Sequence, residues 1–439
     1  MEQINNILRD DNLYKAAIQA LHGLQSNSNY LKLVTKDNSQ ASAVRKLRDT
    51  KKYLIRSGIT LKKLDTLSVI HIAGTKGKGS TCAYIEAILR EHGFKTGFFS
   101  SPHLVNARER IRISGQPISK IQFTQNFWKI YKKLEDTKEH ESDMPTYFKF
   151  LTILMFHIFL DEHVDVAIIE VGIGGLYDCT NIVRNPVCVG ITSLGLDHTS
   201  LLGNTVEDIA YQKSGIFKSE TVAFSVPQLP QAMRILEERA IERNSIQMAT
   251  EWLLTRDKVA SVSMDKIAIA LTSCKWPGRM QILRSSIGDF FLDGAHTIES
   301  IECCISWFND INSGSKRKKV LIFNTSGTRD PIQLLIPLRS LHFYKAYFVP
   351  NLVGIKSLDN EMNRSSTDEQ RIKCEINSKI WGMNSVVANN VLEVLEDIKK
   401  NLEQKDNCER YQILVTGSLH LIGAVLAILD PNLTMNTEF

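Results

Sequence analysis

The sequence predicts an α/β protein of two domains whose sheets are mainly parallel. Three observations carry that prediction. The stretch from Leu67 to Leu89 runs from an apolar strand through a glycine-dense turn into an apolar-periodic helix. Strand-like and helix-like segments then alternate as far as Val226, the pattern of a parallel sheet wrapped by helices. After the turn Trp276-Pro277-Gly278-Arg279 a second alternation begins. A hinge just before that turn gives domains 1–275 and 276–439.

Residues 1–66 read as helical, because Tyr14–Leu21 and Ala43–Leu47 carry apolar residues at helical spacing. Ser26–Tyr30 reads as a loop of alternating serine and asparagine. Next comes the stretch that organises the chain. Apolar Leu67–Ala73 meets Gly74-Thr75-Lys76-Gly77-Lys78-Gly79-Ser80-Thr81, which opens the helix Cys82–Leu89. Strand, glycine loop and helix form the context of a phosphate-binding loop. Glycines let successive N–H groups converge on one anion, and the helix N-terminus adds unpaired N–H groups and a dipole. Lys78 supplies a mobile cation, and Ser80 or Thr81 a hydroxyl suited to magnesium. The loop departs from G-x-x-x-x-G-K-S/T, since Gly79 separates Lys78 from Ser80. A dinucleotide fingerprint is excluded, because the third glycine would fall at Cys82.

Gly93 reads as a helix stop, and Phe94–Phe99 as a second strand that exits through Ser100-Ser101-Pro102-His103-Leu104. Arg108, Arg110 and Arg112 alternate after it. They suit either a grip on a carboxylate or phosphate or a solvated edge strand, and spacing alone does not choose. Residues 119–163 read as two helices broken at Met144-Pro145-Thr146. Val164–Glu170 is then a buried strand ending in a carboxylate and the glycines of Gly172-Ile173-Gly174-Gly175. Ligands of open α/β sheets sit outside the carboxyl ends of strands, so Glu170 stands where a magnesium ligand would. Strand Val187–Thr192 exits through Asp197-His198-Thr199-Ser200, which brings His198 to the same edge. Asn204-Thr205-Val206-Glu207 has capping chemistry for a helix carrying Lys213, followed by Gly215 and Lys218. Strand Thr221–Val226 and helix Gln231–Arg243 follow.

In the second half the expected strands are Asp289–Leu292, Val320–Asn324, Ala346–Val349 and Tyr411–Val415. Asp293-Gly294-Ala295-His296 leaves the first and Thr416-Gly417-Ser418-Leu419-His420 the last. Ser357–Lys373 is polar and reads as a loop.

Composition excludes several classes. With 43% hydrophobic and 23% charged residues, the chain has an ordinary globular make-up. A net charge of +5 suits anionic small molecules rather than nucleic acid. The basic run Lys316–Lys319 precedes an apolar strand and reads as a solvated strand entry. Eight cysteines without a C-x-x-C pair suggest free thiols in a reducing compartment and no zinc site. No apolar run approaches a membrane span, and the acidic N-terminus is a poor targeting signal. A cytoplasmic protein is expected, with a mitochondrial form left open.

Taken together, these runs resemble the folylpolyglutamate synthases of the Mur-type amide ligases, in their animal form. The resemblance rests on Gly74–Ser80, Ser100–Leu104, Gly115-Gln116-Pro117-Ile118-Ser119, Glu170–Gly175, Asp197–Gly203, Gln212–Lys218, Trp276–Arg279, Asp293–His296 and Thr416–His420. It implies a P-loop domain beside a smaller Rossmann-like domain. The implied activity is ATP-dependent addition of L-glutamate to the γ-carboxylate of tetrahydrofolate or its polyglutamates, through an acyl phosphate, by a monomer with no nucleic acid or membrane partner. ATP and magnesium are the implied cofactors, with a monovalent cation as a further option. By position Ser101, Glu170 and His198 match the metal ligands, and Gly74, Thr75, Lys76, Gly77, Lys78, Gly79 and Ser80 the phosphate loop. Arg279 and Asp293 match nucleotide contacts. Lys78, Lys213 and His296 are the catalytic candidates, Lys213 matching a lysine that is carbamylated in several members. The loop Ser101–Arg112 matches a folate-holding segment. One departure stands out: the segment from Lys218 to Trp276 is short, and only Lys258–Ser273, with the echo Ile267–Leu271, fills it. Dihydrofolate synthesis, or nucleotide and folate binding without catalysis, are the alternative readings.

Overall fold

Strand β1 (Val69–Ala73) lies near the middle of a seven-stranded sheet. The other members are β2 (Thr96–Phe99), β3 (Ile111–Ile113), β4 (Gln116–Pro117), β5 (Val166–Glu170), β6 (Cys188–Ile191) and β7 (Val222–Ser225). Their order is β4-β3-β2-β5-β1-β6-β7. The run from β2 to β7 is parallel, whereas β3 and β4 fold back antiparallel beside β2. Every residue of β1, β2 and β5 is buried, as expected of parallel strands covered on both faces. In this computed structural model the described residues are 2–24, 40–243, 262–325, 329–354, 367–403 and 410–435.

Helix Tyr147–Asp161 is buried on all sides from Phe150 to Phe159, which its nearly unbroken apolar sequence requires. Each fully buried Phe or Leu there contributes roughly 1.5–3 kcal/mol by leaving water. Of the two buried polar residues in that stretch, Thr152 donates to Phe148 O at 2.9 Å and His157 bonds Ser57 Oγ at 2.9 Å. Helix Gln40–Ser57 is further tied down by Asp143, which accepts from Tyr53 Oη at 2.9 Å and Arg56 Nη1 at 2.6 Å. Behind β1 and β6, helices Val206–Lys213 and Pro230–Glu242 close a second core through Ala210, Ala232 and Leu236. Thr205 and Asp208 form the capping box foreshadowed by the sequence.

The second sheet contains β8 (Gln281–Arg284), β9 (Gly288–Leu292), β10 (Lys319–Phe323), β11 (Lys345–Phe348), β12 (Ser385–Val387) and β13 (Tyr411–Thr416). Its order is β12-β11-β10-β13-β9-β8, with only β8 antiparallel. Successive strand residues point to opposite faces. Phe290, Ile322, Tyr347 and Val415 pack toward helices Val391–Glu403 and Leu419–Leu429. Phe291, Leu321, Phe348 and Leu414 face the other way, toward helices Ile298–Ile311, Pro331–Leu338 and Thr367–Trp381. This is a doubly wound sheet.

The chain divides into two compact units, Met1–Pro102 with Ala107–Cys274, and His103–Asn106 with Lys275–Phe439. Several local expectations need correction. The two-residue β4 and the β8 and β12 strands carry too little apolar pattern to be read in advance. Thr367–Lys373 begins a helix rather than ending a loop; the remainder of that expected loop, and Ser26–Tyr30, lie outside the described residues. The arginines do not form a solvated edge. Ala107–Arg110 is one 3₁₀ turn, Arg110 is buried over the Tyr147 ring at 5.4 Å, and Arg108 Nη1 donates to Ile118 O at 2.6 Å. The cation–ring contact and the turn's tight geometry override the alternation suggested by sequence. No helix among the described residues is long and apolar enough to cross a membrane.

Candidate active site

The phosphate loop leaves β1 at Gly74, whose φ is +149°. A Cβ there would lie 1.8 Å from Thr192 Oγ1, so only glycine lets the loop pass this close to β6. The N–H groups of Thr75 and Lys76 donate to Ser193 O at 2.9 and 3.1 Å. Thr75 Oγ1 donates to Gly195 O at 3.0 Å, and Lys76 Nζ lies 3.6 Å from Asp197 Oδ2. The exit loop of β6 therefore holds the first half of the phosphate loop. Gly77, at φ +86°, is the N-cap of helix Lys78–Glu91 and gives no side-chain cap. The orphan N–H groups of that first turn are of the kind that bind anions.

Two ammonium groups converge on one backbone oxygen. Lys78 Nζ donates to Gly74 O at 3.1 Å and Lys213 Nζ to the same atom at 2.7 Å. Lys213 is 4% exposed. Burial, followed by the charge of Lys78, pushes its ammonium down to about 7. It is a base poised near neutrality.

Glu170 ends β5, level with Ile72 of β1, while Ile191 of β6 is level with Ala73. The three strand ends thus share one edge. Glu170 is 5% exposed, and Ser101 donates its N–H to Glu170 Oε2 at 3.0 Å. His198 stands on the exit loop of β6, exposed, with φ +52°. Its N–H donates to Asp197 Oδ1 at 3.0 Å, and the left-handed backbone starts helix Thr199–Leu202. Of the expected metal set, Ser101 and Glu170 meet directly, and His198 joins the edge through the loop that pairs with Lys76. Among the described residues no group of three or more His, Cys, Asp or Glu could hold a metal by itself. A buried carboxylate beside Ser101 still fits magnesium, which takes one or two carboxylates beside substrate phosphates.

In the second unit, Asp293 leaves β9 and is 8% exposed. Its two oxygens accept from Ala295 N and Met280 N, both at 2.9 Å. Burial raises its carboxyl while those bonds and the Arg279 charge oppose the rise. A Cβ on Gly294 would meet Arg279 Nη1 at 2.5 Å, so Arg279 lies across that glycine. His296 Nδ1 lies 2.7 Å from Gly294 O, which makes Nδ1 the protonated nitrogen of the neutral ring and Nε2 the acceptor. Gly417 of the β13 exit donates to Ala295 O at 2.9 Å. Arg279, Asp293 and His296 are therefore one cluster.

The sequence reading missed a buried polar turn at Asp178-Cys179-Thr180-Asn181. Its only signal was an Asp two residues before a Thr, the spacing of an Asx turn. It also missed Gln228, which clamps Thr192 O and Leu194 N at 3.1 and 3.0 Å.

A phosphate loop on a parallel sheet, followed by a doubly wound unit, defines a nucleotide-dependent ligase of the Mur type, and residues 72–239 match the Mur ligase middle domain. The chain belongs to the folylpolyglutamate synthase family. It is 37% identical to the mitochondrial folylpolyglutamate synthase of Bos taurus, over 96% of this chain and 93% of that protein. With the human mitochondrial enzyme it shares 40%, over 84% and 73% respectively. The bovine alignment runs over 546 positions against a chain of 439 residues, so that relative carries residues this chain lacks. Among solved structures, E. coli FolC in complex with DHPP and ADP is similar at a TM-score of 0.68 and 26% identity, covering 88% of this chain and 93% of that one. The Mycobacterium tuberculosis folylpolyglutamate synthase complexed with ADP and AMPPCP has the same fold, at a TM-score of 0.70 and 22% identity over 88% and 99%.

Proposed function

We propose that this chain is an ADP-forming ligase that joins L-glutamate to the γ-carboxylate of tetrahydrofolate and its polyglutamates. The observation that carries the reading is the pairing of Lys78 and Lys213 on Gly74 O, on the sheet edge where Glu170 ends β5, in a chain of this family. A carboxylate is a poor electrophile, because its oxide is a bad leaving group. Phosphorylation by ATP gives an acyl phosphate, which the glutamate amine attacks to leave an amide, ADP and phosphate.

The protein's share is alignment and charge neutralisation. In this reading the N–H groups from Gly77 to Ser80 and the Lys78 ammonium hold the outer phosphates. Magnesium, where Ser101, Glu170 and His198 would hold it with the Ser80 hydroxyl on the phosphate loop, would supply charge neutralisation. Lys213, half neutral near pH 7, exists partly as the amine that takes up carbon dioxide as a carbamate, turning a cation into an anion. Arg279 and Asp293 meet the nucleotide, and His296 accepts the amine proton through Nε2. The buried turn carrying Arg108 and Arg110 belongs to the folate side. In this reading the protein acts as a monomer in a reducing compartment, the cytosol first.

The test is incorporation of labelled glutamate into tetrahydrofolate, with and without ATP and magnesium. Lys78→Ala should abolish it while leaving the melting curve intact; full activity in that variant would remove the phosphate-site assignment. Dihydropteroate as acceptor decides between this reading and dihydrofolate synthesis. ADP release without glutamate would point to a plain ATPase.

A further inference from the structure

Beneath the sheet edge lies a polar network that the mechanism above does not use. Asp178 is 7% exposed and Thr180 fully buried. Thr180 donates its N–H at 2.9 Å and its O–H at 2.5 Å to Asp178 Oδ1. Ile173 donates its N–H to Asp178 Oδ2 at 3.2 Å, and the Gly172 N–H also bonds this carboxylate. The only hydroxyl proton of Thr180 is thus committed. His71 Nε2, 2.8 Å from Thr180 Oγ1, must be the donor in that contact. Burial holds His71 down to about 3, so it is the neutral ring that donates. A chain of bonds therefore runs from β1, at His71, to the exit of β5, two residues after Glu170.

The same turn reaches the other way. Asn181 Nδ2 donates to Leu176 O at 3.0 Å and to Gly215 O at 3.1 Å. Leu176 N donates to Gln212 O at 2.7 Å, one residue from Lys213. A Cβ on Gly215 would come within 2.3 Å of Leu176 Cα, so this approach has no slack. One turn of four residues is bonded to the strand that feeds the phosphate loop, to the exit of the Glu170 strand and to the segment that carries Lys213.

We infer that the turn Asp178–Asn181 is a positioning element of the active site, setting the place of Glu170 and Lys213 relative to the phosphate loop. Thr180 is its hinge pin, because its hydroxyl both receives from His71 and gives to Asp178. Second-layer hydrogen bonds of this kind orient the groups that bind metal and phosphate. The inference rests on the ligase reading of the site, and its test separates the two.

Thr180→Val keeps the shape and removes the hydroxyl; Thr180→Ser keeps the hydroxyl. Two quantities are read: kcat and KM for glutamate-dependent ADP release, and Mn²⁺ affinity in the presence of ADP without turnover. Thr180→Val should lose about 10- to 100-fold in kcat and in Mn²⁺ affinity, with KM for tetrahydrofolate unchanged within about twofold. Thr180→Ser should recover most of both. Wild-type kcat and Mn²⁺ affinity in Thr180→Val, or equal losses in both variants, would overturn the inference. Should Thr180→Val fail to fold, Asp178→Asn gives the same reading, since its amide end must turn a donor toward N–H groups; full kcat and Mn²⁺ affinity there would also overturn it. A wild type that shows the Mn²⁺ pattern yet releases no ADP with glutamate would refute the ligase reading and leave the positioning role standing.

Discussion

Replacing Lys213 with Met should flatten the pH dependence of stability by an amount that follows from the structure. Lys213 titrates near 7 in the folded protein, against an ordinary lysine value of 10.5. Between those values the unfolded chain holds a proton that the folded chain has released. Stability therefore rises with pH across this window. From pH 6 to pH 9 the unfolded lysine stays protonated while the folded one loses its proton. The difference in bound protons, integrated over that range, is about two pH units at ~1.4 kcal/mol each, or about 2.7 kcal/mol in all. At 4% exposure solvent screening removes little of this. Met has similar length, no charge and no titration. The assay is urea denaturation of wild type and Lys213→Met at pH 6, 7.5 and 9, in bicarbonate-free buffer so that no carbamate forms. Every other titrating group cancels in the difference. Wild type should gain on the variant by about 2–3 kcal/mol from the lowest to the highest pH. Curves that stay parallel within about 0.5 kcal/mol would show that Lys213 is not a desolvated base.

Two further outcomes are expected. Gly74→Ala forces a Cβ against Thr192 Oγ1 at a backbone angle that side chains rarely adopt; it should cost roughly 2–5 kcal/mol by urea denaturation and remove ADP release, because the carbonyl gripped by both lysines moves. Asp143→Ala leaves Arg56, Lys52 and the Tyr53 hydroxyl without their shared acceptor and should destabilise by about 3–5 kcal/mol, with a near-normal KM for ATP; an unchanged midpoint would mean that the helix Gln40–Ser57 is held by packing alone.

The parts legible in the sequence were those written in local chemistry. Parallel strands show as unbroken apolar runs, and their exits as glycines followed by polar residues, so local pattern alone puts Gly74–Ser80, Glu170 and Asp293–His296 on strand ends. The Thr205 helix start and the Met144–Thr146 break are likewise short-range signals. What could not be read depends on distant pairing. β3, β4 and β12 are two or three residues long, below the length at which periodicity speaks. His71 sits inside an apolar strand, and only the fold brings Thr180 to it from 109 residues away. The convergence of Lys78 and Lys213 on Gly74 O spans 139 residues for the second lysine. The sequence could name Lys213 by resemblance but could not say that its amine is buried, and burial is what sets its proton affinity.

The short segment between Lys218 and Trp276 is where this chain departs most from what its resemblance implies. The echo Ile267–Leu271 lies within a real helix, Met264–Ser273, with Ser263 as its side-chain N-cap. That helix packs on the phosphate-loop helix and buries Ala270 against it, while Met264, Ile269 and Leu271 stay exposed. Ser263 N also donates to His92 Nε2 at 3.3 Å, at the far end of the phosphate-loop helix. That bond lies at the C-terminal end of the helix, opposite to the glycines. The phosphate end is held by other means: Thr192 and Ser193 on the β6 exit, Gln228 behind them, and Lys213 from the side. Of these only Gln228 lies within the segment between Lys218 and Trp276. Phosphoryl chemistry depends on those contacts, and all of them but the Gln228 pair come from residues outside the short segment.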